Sequence, residues 1–235
     1  METNFNLITF GDSWTVNCED KSWPNLLADL LNRNLVQLGS SGSDNKTILH
    51  RILDQEYSST DIVVVMWSHP YRVFSPYNPV GLNLAMNNID DSCRDTDEAD
   101  FIKAYRKWYL REPTGEWYIA RDSLQQALLV QEFFQNSNIV CIQCNNYVDL
   151  AMDNLGAPEV GLIDKERFYG FGAQPMSWLL GGVDVFSGIQ VMPTSEDDRE
   201  KMSVYWSNSD SWTHPSELGH ELIAHKLKDF LDNVL

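Results

Sequence analysis

The sequence predicts an α/β fold in which a parallel sheet is sandwiched by helices. Two observations carry this expectation. Short apolar segments alternate along the chain with segments whose apolar residues recur at helical spacing. One of the short segments, Ile62–Trp67, is apolar without interruption, the pattern of a parallel strand covered on both faces. No internal repeat or low-complexity tract interrupts the alternation.

Taken in order, Asn6–Phe10 reads as a strand running straight into Gly11-Asp12-Ser13. Trp23–Leu31 places Leu26, Leu27, Leu30 and Leu31 on one helical face, with Pro24 tolerated in the first turn. A second strand is expected at 35–38, ending in the turn Gly39-Ser40-Ser41-Gly42-Ser43. A helix follows that carries Ile48, Leu49, Ile52 and Leu53, and the strand Ile62–Trp67 comes next. Residues 70–98 are rich in Pro, Asn and Asp and read as an irregular insertion. Loops of that length inside a domain are commonly functional or mobile. Helices are expected at about 100–110 and 117–136, then a strand at 139–144. A second irregular region spans 145–209 and contains Trp178. The helix Glu217–Val234 closes the chain, with Leu218, Leu222, Ile223, Leu227, Phe230 and Leu231 on its apolar positions. One domain over 1–235 with a long decoration is the expected organisation.

Composition narrows the function. The 235 residues include 17 Lys+Arg against 34 Asp+Glu, a net charge of −17. That balance argues against nucleic acid and anionic membranes as partners, because both need clustered Lys and Arg. With 43 % apolar residues and 8 Trp, 9 Tyr and 10 Phe, the chain can fill a core and is not a disordered one. The apolar runs are strand-sized, and the start Met1-Glu2-Thr3-Asn4 has neither the basic region nor the apolar stretch of a signal peptide. A cytoplasmic or viral location is therefore expected, and Asn45-Lys46-Thr47 matches a glycosylation sequon by chance. Four cysteines are too sparse for a disulfide scaffold. Cys141 and Cys144 have redox-motif spacing, but on a strand they point to opposite faces.

Ligands of open α/β sheets bind beyond the carboxyl ends of the strands. Gly11-Asp12-Ser13, Gly39 to Asn45 and Ser68-His69-Pro70 all leave strands there, and 210–214 precedes the last helix. Gly11 permits a sharp turn that would stand Ser13 at the sheet edge. A serine nucleophile needs an imidazole to take its proton, and His214 is the histidine best placed to do so. Gly-Asp-Ser alone is an ordinary turn, so the combination decides. Phe10-Gly11-Asp12-Ser13, the Gly39-Ser40-Ser41-Gly42-Ser43-Asp44-Asn45 block, and His214-Pro215-Ser216-Glu217-Leu218-Gly219-His220 together resemble the SGNH/GDSL hydrolase superfamily.

That resemblance implies a flavodoxin-like, three-layer α/β/α sandwich with a central, mainly parallel sheet, and a serine esterase activity without a cofactor or metal. Ser13 matches the nucleophile and His214 the general base. The backbone N–H groups of Ser13 and Gly42 match oxyanion-hole donors, a glycine suiting position 42 because the backbone must approach the substrate closely. The site is not a Gly-x-Ser-x-Gly elbow, since Thr15 stands where the last glycine would be.

Two departures from the family pattern bear on mechanism. The third block, usually Gly-x-Asn-Asp, is replaced by Trp67-Ser68-His69-Pro70-Tyr71-Arg72, and the oxyanion-binding Asn falls near Pro70, which cannot donate. Asn45, His69 and Arg72 are the candidate replacements, with Asn45 the expected one. Capping of the strand end is an equal reading for His69. In the family's Asp-x-x-His pattern the third residue before His214 is Ser211, and Asp210 is one residue further away. Either a one-residue bulge brings Asp210 onto the imidazole, or a backbone carbonyl holds a Ser13–His214 dyad.

The remaining signals are weaker. His220 and His225 are five apart, which places them ~140° around a helix and prevents them from sharing a metal. His50 reads as a surface or half-buried helix residue, and the acidic clusters at 90–100 and 196–200 read as solvated loops without an EF-hand pattern. Asp12 beside the nucleophile is expected to serve local turn hydrogen bonding. Trp14, Trp67, Trp178 and Trp212 flank the motifs, either stacking on a sugar or anchoring the core. His69, Arg72 and Trp212 are candidates for substrate contact. The expected reaction is hydrolysis of a carboxylic ester, with a small acyl group such as acetyl on a carbohydrate as substrate. A lipase or thioesterase, or a non-catalytic binding or structural module such as one in a viral particle, is the alternative.

Overall fold

The computed structural model describes residues 5–16, 21–70, 72–75, 78–83, 100, 104, 115–146, 157–172, 175–181, 183–184, 191–192, 195–206 and 214–235. In chain order the elements are β1 (Asn6–Phe10), α1 (Trp23–Leu31), β2 (Asn34–Gln37), α2 (Asn45–Asp54), β3 (Ile62–Trp67), β4 (Arg72–Ser75), β5 (Asn78–Asn83), α3 (Gly115–Gln135), β6 (Val140–Asn145), β7 (Phe168–Tyr169), α4 (Met176–Leu179), β8 (Val183–Asp184), β9 (Val191–Met192), α5 (Glu196–Tyr205) and α6 (Glu217–Val234). A 3-10 turn spans Pro158–Leu162.

The central sheet has the order β2-β1-β3-β6-β7, and each neighbouring pair is parallel. Counted within the sheet this is the order 2-1-3-4-5 of doubly wound flavodoxin-like folds. The strand order reverses between β1 and β3, so a crevice opens beyond the carboxyl ends of those two strands.

Alternation along the strands builds two cores. Leu7, Ile62, Val64, Met66, Ile142 and Cys144 face α1 and α6, joined by Trp14, Trp206, Met176 and Met202. Ile8, Phe10, Val63, Val65, Trp67 and Cys141 face α2 and α3, joined by Phe134, Phe168 and Phe171. Each of these large apolar side chains contributes about 1.5–3 kcal/mol by leaving water. All of β3 is buried, as its unbroken apolar run requires. Cys141 and Cys144 lie in opposite cores, and burial pushes both thiols up from their ordinary pKa, the reverse of what a redox pair needs.

Several expectations change. Part of the 70–98 insertion is regular, because β4 and β5 pair as an antiparallel hairpin with Arg72 opposite Asn83. The 145–209 region holds β7, α4, the β8–β9 pair and α5. The acidic cluster at 196–200 is therefore a helical first turn rather than a solvated loop. Ser195 caps it by accepting the Asp198 N–H, and Glu196, Asp197 and Asp198 complement the positive end of the helix dipole. Strand β2 begins one residue earlier than expected and β6 one later. The helix expected at 100–110 lies outside the described residues except for Asp100 and Ala104, both helical. Among the described residues, no helix is long and apolar enough to cross a membrane.

Candidate functional site at the β1/β3 switch point

The turn leaving β1 is set by Asp12. Its backbone carbonyl accepts the Thr15 N–H at 3.0 Å and its Oδ1 accepts the Trp14 N–H at 3.1 Å. The expected local turn bonding is thus present, and it spends the N–H groups of Trp14 and Thr15 but not that of Ser13. Ser13 is half-buried between two buried neighbours.

The turn after β2 closes when the Ser43 N–H donates to the Ser40 carbonyl at 3.1 Å. Gly42 occupies its third position at φ 76°, in the left-handed region that side chains resist. This turn likewise leaves the Gly42 N–H out of its own hydrogen bond. The Ser40 N–H donates to the Gly11 carbonyl at 3.0 Å, fastening the two loops side by side.

Asp12 does more than close its turn. It is fully buried, and its Oδ2 accepts hydrogen bonds from Ser68 Oγ (2.9 Å), Arg72 Nη1 (2.9 Å) and Asn146 Nδ2 (2.8 Å). The ends of β1, β3 and β6 therefore meet on one carboxylate oxygen. Arg72 Nη1 also reaches Ser68 Oγ at 3.0 Å and the Ser43 carbonyl at 3.4 Å, so it touches the loop after β2 as well. Sequence reasoning missed Asn146. Its one available signal was a pair of asparagines at the carboxyl end of an apolar strand.

Asn45 is the first residue of α2. It is buried, its Nδ2 donates to the Ser68 carbonyl and Ser123 Oγ, each at 3.1 Å, and its Oδ1 accepts the Ser68 N–H at 2.7 Å. Both amide hydrogens are committed, and the side chain fixes Ser68. The same burial closes the sequon at Asn45. His69 is also buried, and its carbonyl accepts the Arg72 N–H at 3.0 Å in the turn leaving β3. Trp14 and Trp67 are fully buried core anchors, not stacking surfaces for a sugar. Asp210 and Trp212 lie outside the described residues.

The segment carrying His214 is docked on the end of α5. Pro215 pairs with Trp206 in an isolated antiparallel bridge, and the Ser216 N–H donates to the Tyr205 carbonyl at 2.8 Å. Ser216 caps α6, accepting the Gly219 N–H at 3.2 Å and donating its hydroxyl to the Val204 carbonyl at 2.8 Å. A Cβ on Gly219 would stand 2.2 Å from the Tyr205 carbonyl oxygen, so that position must be glycine. His220 Nδ1 accepts the Trp23 N–H at 3.3 Å, at the first residue of α1. Pro215, Ser216, Gly219 and His220 of the His-Pro-Ser-x-x-Gly-His motif thus each have a packing reason. The rings of Trp14 and Trp206 meet edge to face at 5.4 Å, joining the neighbour of Ser13 to the partner of Pro215.

The charges are arranged around His214. Although the residue is exposed at the surface, burial of part of its ring pushes its pKa below the ordinary histidine value. The charge of Asp12 opposes that shift and the charge of Arg72 adds to it. His214 therefore lies within electrostatic reach of the Asp12–Arg72 pair. His220 is pushed down to about 4, first by burial and then by the charge of His214, and stays neutral at ordinary pH.

Among solved structures the chain is similar to a protein described as lipolytic and of the G-D-S-L family from Desulfitobacterium hafniense DCB-2. The identity is 11 %, with 97 % of this chain and 99 % of that chain covered and a TM-score of 0.49. A member of the lipolytic protein G-D-S-L family from Veillonella parvula DSM 2008 is 14 % identical, covers 95 % and 96 %, and has a TM-score of 0.45. LAE5, an alpha/beta hydrolase enzyme from the metagenome of Lake Arreo, Spain, is 15 % identical, covers 100 % and 98 %, and has a TM-score of 0.48. No family model and no curated protein matches the sequence. The parallel 2-1-3-4-5 sheet with helices on both faces defines the fold class by itself, and the motifs at its carboxyl edge carry the resemblance to the SGNH/GDSL superfamily.

Proposed function

We propose that the protein is a serine hydrolase that cleaves a carboxylic ester through an acyl-Ser13 intermediate. The observation that supports this most directly is the Trp14–Trp206 contact. In the core beneath the β1 turn it joins the neighbour of Ser13 to the bridge partner of Pro215, the residue after His214. In the proposed sequence, the His214 imidazole takes the Ser13 hydroxyl proton as Oγ bonds to the ester carbonyl carbon. The carbonyl oxygen becomes an oxyanion, received by the Ser13 and Gly42 N–H groups that their own turns leave over. Collapse breaks the bond to the alcohol, which departs with the proton held by His214. Water then attacks the acyl carbon, His214 accepts its proton, and the carboxylic acid leaves as Ser13 recovers its hydrogen.

Asp210 is the proposed carboxylate orienting His214, and Asp210→Asn is expected to lower turnover steeply. An unchanged rate would leave a Ser13–His214 dyad. A small neutral acyl ester, such as an acetylated carbohydrate, suits a chain of net charge −17 better than an anionic substrate. The test of the mechanism is a fluorophosphonate probe together with p-nitrophenyl acetate. Wild type should be labelled and turn over ester, and Ser13→Ala should lose labelling and at least ~10⁴-fold in kcat. Equal labelling of the two proteins would sink the mechanism, and a wild type inert to both reagents would leave a binding module on the same fold.

A further inference from the structure

Several donors at the carboxyl end of β3 are already committed. Pro70 has no N–H. The Ser68 N–H is held by Asn45, and its hydroxyl is donated to Asp12. Asn45 spends both amide hydrogens on Ser68 and Ser123, and Asn146 spends one on Asp12. Arg72 differs from all of these. Its side chain is only 18 % exposed, and one nitrogen, Nη1, makes the bonds to Asp12, Ser68 and Ser43. Its Nε–H and Nη2–H groups are taken by no acceptor among the described residues.

The anchored nitrogen also places the guanidinium. Nη1 touches Asp12, which immediately precedes Ser13, and Ser43, which immediately follows Gly42. The guanidinium therefore sits between the two turns whose spare N–H groups form the proposed oxyanion hole, within electrostatic reach of His214. A guanidinium pinned on one side by a buried carboxylate, a hydroxyl and a carbonyl cannot swing freely. Its remaining donors are preorganised, the property that makes a donor effective when charge develops in a site with little water.

We propose that Arg72 is a catalytic residue of this site, whose open Nε–H and Nη2–H edge hydrogen-bonds the oxygen that becomes negative when Ser13 attacks the ester carbonyl. The inference rests on the serine-hydrolase reading. It gives the Asp12–Arg72 pair a division of labour, with Asp12 holding the guanidinium and the guanidinium meeting the oxyanion. No bond to Arg72 is made or broken, and its protonation does not change.

The experiment compares wild type, Arg72→Lys and the double variant Asp12→Asn/Arg72→Gln, with p-nitrophenyl acetate as substrate and phenylboronic acid as a mimic of the tetrahedral intermediate. Neither variant leaves a bare buried carboxylate, and thermal melting checks that both fold. Arg72→Lys keeps the charge beside Asp12 but loses the forked edge. The double variant removes both charges. The expected result is a fall of ~10²–10³ in kcat for each, with KM within about threefold of wild type. The inhibition constant of phenylboronic acid should rise in step with the loss of kcat/KM. A double variant with wild-type kcat, or boronate inhibition that does not change, would show that Arg72 merely neutralises Asp12 and would overturn the inference alone. A wild type inert to ester and to the fluorophosphonate overturns the serine-hydrolase reading, and this inference with it.

Discussion

Two buried aspartates sit at opposite ends of the same sheet. Asp61 precedes β3 at the amino end, and Asp12 follows β1 at the carboxyl end. Each has an arginine nearby, Arg33 and Arg72 respectively. Asp61 accepts from the Ser58 N–H at 2.7 Å and from Asn6 Nδ2 at 3.0 Å, closing its own turn onto the adjacent strand, while Arg33 donates to the Thr60 carbonyl at 2.6 Å. Asp12 closes a turn as well, but its second oxygen gathers groups from the ends of β3 and β6. Similar ingredients make a strand start in one place and a convergence of loops in the other. The difference is topological: loops from several strands converge at the carboxyl end of a parallel sheet, beside the reversal of strand order.

The largest expected effect breaks the comparison directly. Asp12→Ala strips the counter-charge from a largely buried Arg72 and leaves donors on Ser68 and Asn146 without an acceptor, at a cost of about 3–5 kcal/mol. Asp61→Ala removes an acceptor from one backbone N–H and one amide, at a cost of about 1–3 kcal/mol. Urea denaturation at pH 7 measures both. Fluorophosphonate labelling of Ser13 should survive Asp61→Ala and be lost in Asp12→Ala. Equal stability losses would mean that the Asp12 hub is no more than a turn.

A smaller effect separates the two ends by pH. His220, between α6 and α1 beside the site, falls from an ordinary 6.5 to about 4 in the folded protein. A base with a lowered folded pKa is protonated more readily in the unfolded chain. Its contribution to stability is therefore complete above pH 6.5, declines as the pH falls and is exhausted below about 4. The span corresponds to on the order of 3 kcal/mol. Urea unfolding of wild type and His220→Gln from pH 7 to pH 4 isolates that share from the titration of carboxylates. Parallel curves would show that His220 is not buried neutral.

The same contrast explains what the sequence discloses. The bounds of β1, α1, β3 and α6 are legible because their apolar residues keep one period and Ser or Pro marks the helix starts. Although its partners are distant, with His220 accepting from Trp23 197 positions away, the His214 to His220 motif is legible because its residues are contiguous in the sequence. Asn146 is not, because its partner Asp12 is 134 positions away in the chain. Helix α5 escapes because Met202 is its one buried residue, so no apolar stripe announces it. Strand β7 is two residues long, Phe168–Tyr169, too short for any alternation to register. The hydrogen bonds of Asn45 are hidden for a related reason. Its place beside Gly42 suggests chemistry, while its partners Ser68 and Ser123 come from elements far along the chain.

The smallest effect sharpens the comparison most, because it reads the site rather than its stability. In the proposed mechanism, neutral His214 is the base, so the acid limb of kcat/KM follows its protonation. Burial holds its pKa below the ordinary histidine value, with Asp12 pulling upward and Arg72 downward. The limb of the wild-type protein should therefore fall below pH 6.5. Asp12→Asn removes the upward pull and leaves the Arg72 charge uncompensated, and both changes favour the neutral imidazole. The limb should move to still lower pH, even as the maximal rate drops. Asp61→Asn, at the far end of the sheet, should leave the limb where it is. Rate profiles on p-nitrophenyl acetate from pH 4 to pH 8 distinguish the outcomes. A limb displaced upward by Asp12→Asn, or displaced equally by both substitutions, would mean that the titrating base is not held beside the Asp12 carboxylate.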